Sequence, residues 1–164
     1  MKRRILSILT ALALVLGLLP GEALAAGTPL TVKIGDVTLV EGGTYASGSV
    51  GSSDTSGFQP TDGMTEEAIA AAACIATYRG GTLTIEVQNA GIHIWNIPQL
   101  SLSGDGEFKL TMDSPVQGHG LTVSSDVSFT GDSKLRVGDG IEMSISSGNI
   151  ADLQGRIISE ARIS

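Results

Sequence analysis

One cysteine, Cys74, stands among 164 residues, which excludes an intramolecular disulfide and leaves stability to packing and backbone pairing. It lies in Ala70-Ala71-Ala72-Ala73-Cys74-Ile75-Ala76, where a thiol is expected as a small buried hydrophobe rather than a nucleophile. Histidine is nearly as scarce. His93 and His119 are far apart in sequence, and no H-x-x-x-H, C-x-x-C or G-x-x-x-x-G-K pattern occurs, so the chain spells out neither a short-spaced zinc site nor a P-loop. Positive charge is sparse too: 10 Lys+Arg stand against 17 Asp+Glu, for a formal net charge of -7. An acidic surface repels phosphate backbones and anionic lipid headgroups, which argues against nucleic acid and membrane surfaces and leaves neutral glycans, cations and proteins as partners. Aromatic residues make up only 4% of the chain, whereas Gly, Ser and Thr abound. That is the composition of short strands joined by tight turns.

Long apolar runs are missing everywhere but at the start. Lys2, Arg3 and Arg4 precede an uncharged stretch from Ile5 to Leu19, and Pro20-Gly21 break it before Ala23-Leu24-Ala25, an A-x-A cleavage pattern. Residues 1–25 therefore read as a secretory signal peptide, with cleavage after Ala25 or Ala26. A membrane-spanning helix needs about 20 apolar residues, more than this run supplies, so no membrane insertion is expected after cleavage. The expected address is extracellular, secreted or cell-surface. Losing Lys2, Arg3, Arg4 and Glu22 leaves 7 Lys+Arg (10 less three) and 16 Asp+Glu (17 less one), so the mature charge becomes -9. What remains is enough for one domain with a core.

Within residues 26–63, Leu30 to Tyr45 alternate apolar and polar around Gly35-Asp36, which predicts an N-terminal β-hairpin. The Ser/Gly-rich residues 46–63 offer almost nothing to bury and are expected as a loop. Residues 64–164 open with a short helix over Met64–Ala76, with Thr65 as N-cap and Glu66 and Glu67 in the first turn. After it come short strands: 82–87, 91–95, 100–103, 108–112, 120–124, 127–130, 134–137 and 140–145.

These strands repeat. Leu100-Ser101-Leu102-Ser103-Gly104-Asp105-Gly106-Glu107-Phe108-Lys109-Leu110 aligns without a gap on Val127-Ser128-Phe129-Thr130-Gly131-Asp132-Ser133-Lys134-Leu135-Arg136-Val137, and a third, incomplete unit opens at Gly140. A fixed period built only of short strands and turns points to a solenoid, in which each rung buries its apolar side chains by stacking on the next. The expected fold is all-β: a single-stranded parallel β-helix with an N-terminal hairpin and one short capping helix. An antiparallel β-sandwich is the alternative the same strands allow. Leu100, Leu102, Phe108 and Leu110 fall on one face, with Val127, Phe129, Leu135 and Val137 stacked above them and Gly104 and Gly131 at equivalent corners.

With its basic, leucine-rich leader, Thr31-Val32-Lys33-Ile34-Gly35-Asp36-Val37-Thr38-Leu39, Thr77-Tyr78-Arg79-Gly80-Gly81-Thr82-Leu83-Thr84-Ile85 and rungs of the type Gly-Leu-Thr-Val-x-x-x-Val-x-Phe-Thr-Gly, the chain resembles secreted or surface carbohydrate-binding-domain β-helix proteins of Gram-positive gut bacteria. The resemblance covers nearly the whole chain but rests on structural motifs. It implies a right-handed parallel β-helix, an extracellular address, polysaccharide binding or adhesion and bound calcium, and it carries over no catalytic residue. Such proteins run to many rungs and end in a cap, whereas this chain stops in strand-like Arg162-Ile163-Ser164. Either truncation from a longer protein or self-association through an open last rung is expected.

Sugar binding calls for flat apolar rings with polar neighbours on an exposed sheet face. Trp95 with His93 on the same strand face is the first candidate and Tyr78 a weaker one, each equally open to burial. For calcium, Asp105 and Asp132 are equivalent in the repeat, with Asp139, Asp113 and Asp126 in neighbouring turns. Gly-Asp is also ordinary turn chemistry, and no D-x-D-x-D-G loop occurs. Lys109 and Arg136 align in the repeat and suit contact with an acidic polysaccharide or the base of a lyase, but also a solvated strand face. The expectation is a non-enzymatic carbohydrate-binding or adhesive module. A structural stalk or assembly module comes second and a polysaccharide lyase third.

Overall fold

Alternating apolar residues separated by glycine turns pair as strands throughout the computed structural model, which describes residues 27–48, 57–88, 94–96, 99–113, 121–145 and 155–159. The leader at residues 1–25 lies outside them. In chain order the elements are β1 (Thr31–Ile34), β2 (Val37–Thr38), β3 (Thr44–Ser47), β4 (Gln59–Pro60), α1 (Glu66–Ala70), β5 (Cys74–Arg79), β6 (Thr82–Val87) and β7 (Ile94–Asn96). They continue as β8 (Leu100–Ser103), β9 (Gly106–Asp113), β10 (Leu121–Ser125), β11 (Val127–Thr130), β12 (Ser133–Val137), β13 (Ile141–Ile145) and β14 (Ile157–Ser159). The chain is all-β, in mixed parallel and antiparallel sheets. The sheet orders are β14-β12-β9-β6-β5-β3-β4, β11-β8-β1-β2 and β13-β10-β7.

The internal repeat is a register of strand pairing. Leu100, Leu102, Phe108 and Leu110 lie in parallel pairing opposite Val127, Phe129, Leu135 and Val137. The same step of 27 residues extends backward, where Leu83 pairs with Leu110 and Thr84 with Thr111. Beyond β12 the unit shortens, since Leu121 faces Ile141 and Leu135 faces Ile157. Stacking places the apolar rows inward. Leu83, Ile85, Leu100, Leu102, Phe108, Leu110, Leu135, Val137, Ile141 and Met143 are essentially without solvent contact. Burying side chains of this size stabilises the fold by about 1.5–3 kcal/mol each relative to exposure.

The corners need glycine. Gly104 and Gly131 both adopt positive φ, at 89° and 76°. A Cβ on Gly131 would lie 2.6 Å from the Gly104 carbonyl oxygen, and one on Gly104 would lie 2.3 Å from that of Pro29. Side chains there would push the stacked turns apart.

Three expectations are corrected. The helix is one short turn and a half, α1, with the Thr65 hydroxyl accepting from the Ala68 amide at 3.2 Å. Cys74 to Ala76 lie instead in β5, because Cys74, Ala76 and Tyr78 bury alternate positions between β3 and β6. The Ser/Gly-rich segment holds more structure than its composition suggests. Its first residues lie in β3, and Phe58 is buried with its ring stacked 5.0 Å from that of Tyr45. Gly35-Asp36 does turn β1 into β2, but β3 leaves that hairpin and joins the seven-stranded sheet.

Candidate functional site

The outward face of the seven-stranded sheet is organised in ranks that run across the strands. Alternation along β5, β6, β9 and β12 sends Cys74, Ala76, Tyr78, Leu83, Ile85, Phe108, Leu110, Leu135 and Val137 inward and leaves the intervening residues partly exposed. One such rank is threonine on four neighbouring strands, β3, β5, β6 and β9. Thr44 pairs with Thr77, Thr77 with Thr84 and Thr84 with Thr111. Thr61, just past β4, continues it by donating its amide and hydroxyl to the Thr44 carbonyl, at 2.9 and 3.1 Å. The Thr111 hydroxyl donates to that of Thr84 at 3.2 Å.

On one side of the threonines lies a mostly basic rank, Arg79, Thr82, Lys109 and Arg136, in register across β5, β6, β9 and β12. On the other side Glu86 faces Asp113 across β6 and β9. Strands are about 4.8 Å apart and ranks about 6.7 Å apart, so a basic band and an acidic band run along either side of the hydroxyls. Arg136 is clasped by Glu107, whose two carboxylate oxygens accept from Nε at 2.5 Å and Nη2 at 3.1 Å. That hydrogen bond holds the Glu107 carboxyl below its usual value. The turn beside Arg79 is fixed by the Gly80 amide, which donates to both oxygens of Glu41 at 3.0 Å.

The sequence-predicted site residues are not gathered on this face. Tyr78 is buried, 8% exposed, with its ring centroid 6.2 Å from that of Phe108, so it packs the core instead of offering a sugar platform. Burial raises its phenol pKa, and the Glu41 carboxylate adds to the effect. Trp95 lies in β7 opposite Val123. Its side chain and all of His93 lie outside the described residues.

Asp105 and Asp132 stack as the repeat requires, but the Asp105 carboxylate accepts the Asp132 amide at 3.3 Å, which is turn chemistry. Asp139 stands exposed in the turn before β13, and among the described residues no three Asp, Glu, His or Cys side chains converge. The expected calcium set of Asp105, Asp132 and Asp139 is therefore not assembled as one cluster. A hollow of about 320 Å³ beside Asp132 is lined by Ser133, Lys134 and Arg156. Arg156 is already committed there, donating to the Gly131 carbonyl at 2.7 Å and lying 5.8 Å from the Phe129 ring.

Fold and face together describe an all-β chain with a banded, hydroxyl-rich sheet surface. No family model matches it, no curated protein is similar to it, and no solved structure matches its fold. No helix among the described residues is long and apolar enough to cross a membrane. Sequence reasoning identified Lys109 and Arg136 as aligned, but missed the threonine rank. Its signal was the T-x-T of Thr82 and Thr84 followed one repeat later by Lys109 and Thr111, hidden because the repeat had not been extended back to β6.

Proposed function

We propose that this chain is an exported, non-enzymatic carbohydrate-binding or adhesive module built as a right-handed parallel β-helix. The β-helix reading draws support from the parallel, in-register stacking of β6 on β9 on β12, β8 on β11 and β7 on β10 on β13. Export rests on the n-region, apolar run and A-x-A of the leader. The observation that carries glycan binding is the rank of half-exposed threonines from Thr61 to Thr111. Hydroxyls on adjacent strands present donors and acceptors at one fixed spacing to a ligand whose own hydroxyls repeat.

The test is binding of the secreted chain to soluble and insoluble polysaccharides, with and without calcium, for the wild type and the double variant Thr84→Val, Thr111→Val. Valine keeps the strand preference and removes the hydroxyls. Saturable binding weakened about tenfold by the double variant is expected, the sum of two lost hydrogen bonds of about 0.5–1.5 kcal/mol each. No binding to any polysaccharide sinks the reading. Binding lost on Trp95→Ala alone moves the site to β7.

A second reading, an assembly module, is favoured by the unequal ends of the sheets. At one end antiparallel β1–β2 and β5–β3–β4 close two of them, with Pro60 on the outermost strand. At the other end, β11, β13 and β14 are edge strands among the described residues. Edges of this kind template pairing with another chain.

A further inference from the structure

We infer that the banded face selects a carboxylated polysaccharide, a polyuronate, over a neutral one; this deepens the glycan reading above and rests on it. Mean charge argues the other way, since the chain is acidic overall. Its cations, however, are not spread evenly. Of the six described Lys and Arg (Lys33, Arg79, Lys109, Lys134, Arg136 and Arg156), four lie on this one sheet face: Arg79, Lys109, Lys134 and Arg136. No ion pair joins Arg79 or Lys109 to a carboxylate among the described residues; Glu107, whose carboxylate feels the Lys109 charge, is itself held by Arg136. Charges beyond about 8 Å are largely screened at physiological salt, so a ligand on this face responds to the local band more than to the net charge.

The register supplies the geometry. Arg79 and Lys109 stand in one rank two strands apart, about 9.6 Å, and both flank the threonine hydroxyls. A sugar chain lying along the threonines would turn its carboxylates toward Arg79 and Lys109. The opposite orientation brings them against Glu86 and Asp113 and is repelled. The face itself shows how a carboxylate sits on this rank, because Glu107 already makes a two-pronged contact with Arg136. A planar carboxylate matches the guanidinium fork of Arg79 in the same way.

The experiment measures affinity of the secreted chain for polygalacturonate, for a neutral galactan and for dextran sulfate across a salt series. Wild type is compared with Arg79→Gln, Lys109→Gln, their double variant and Lys33→Gln, a control on a different sheet. The expected result is preference for polygalacturonate that declines with salt, an affinity loss of about tenfold or more in the double variant, and no change in the control or in neutral-polymer binding. All variants change exposed or half-exposed side chains, so each is checked for an unchanged β spectrum. Equal binding of the neutral galactan that ignores both substitutions overturns the selectivity while the glycan reading stands. Dextran sulfate bound as tightly as polygalacturonate overturns it in favour of unspecific charge attraction. Binding of no polymer overturns both readings.

Discussion

At the scale of single residues, Cys74 connects burial most directly to measurement. Removal from water disfavours the thiolate and pushes the thiol from 9.0 to about 11. A group whose folded pKa is raised contributes stability that is complete below the unfolded value and lost as pH climbs through the folded one. The neutral thiol thus stabilises the fold up to pH 9.0, and that contribution is lost as pH rises toward about 11. In denaturant titrations, the wild type should lose stability relative to Cys74→Ala over that window and not below it. A difference between the two that does not vary with pH would contradict the assignment. The burial of this thiol was legible from its alanine and isoleucine neighbours. Its element was not, because Thr65, Glu66 and Glu67 give a sound helix start and the alanines after them carry no stop signal. Pairing with β3 and β6, both distant in sequence, decides that Cys74 to Arg79 extend as a strand.

At the scale of elements, the stacked corners carry the sharpest prediction. Alanine at position 131 would hold a Cβ in a left-handed conformation, at about 1–2 kcal/mol, and press it against the Gly104 carbonyl. Gly131→Ala should therefore destabilise the protein by more than about 2 kcal/mol, read from its denaturation midpoint. Gly63→Ala is the comparison, since Gly63 has the same sign of φ but open space around it, and should cost only the conformational part. Equal losses at both positions would remove the close stacking of β8 and β11 turns as the reason for glycine. This part of the fold was readable, because the ungapped repeat from Leu100 to Val137 sets which residues stack, and burial of the apolar positions follows from alternation. Phe58 was not, since one aromatic in a Ser/Gly-rich segment has no periodicity to mark it. Its place comes from burial in the core, with its ring stacked on that of Tyr45.

At the scale of the whole molecule, apolar rows lie evenly inside while charge is distributed unevenly outside. The sequence showed net acidity, and averaging hid the basic band, whose members are spread from Arg79 to Arg136 and meet only through sheet register. The threonine rank was hidden for the same reason, with Thr44 and Thr61 arriving from antiparallel strands outside the repeat. Tyr78, chosen for its ring, turned out to be core, as the alternation of β5 dictates. The measurement that bears most directly on the central claim is carbodiimide footprinting of the purified chain with and without bound polysaccharide. Glu86 and Asp113 border the threonine rank and should be protected by ligand, whereas Asp36 and Glu66, on the hairpin turn and α1, should label equally in both states. Uniform labelling of all four in the presence of a bound glycan, or protection confined to Asp36 or Glu66, would contradict a binding site on the seven-stranded sheet.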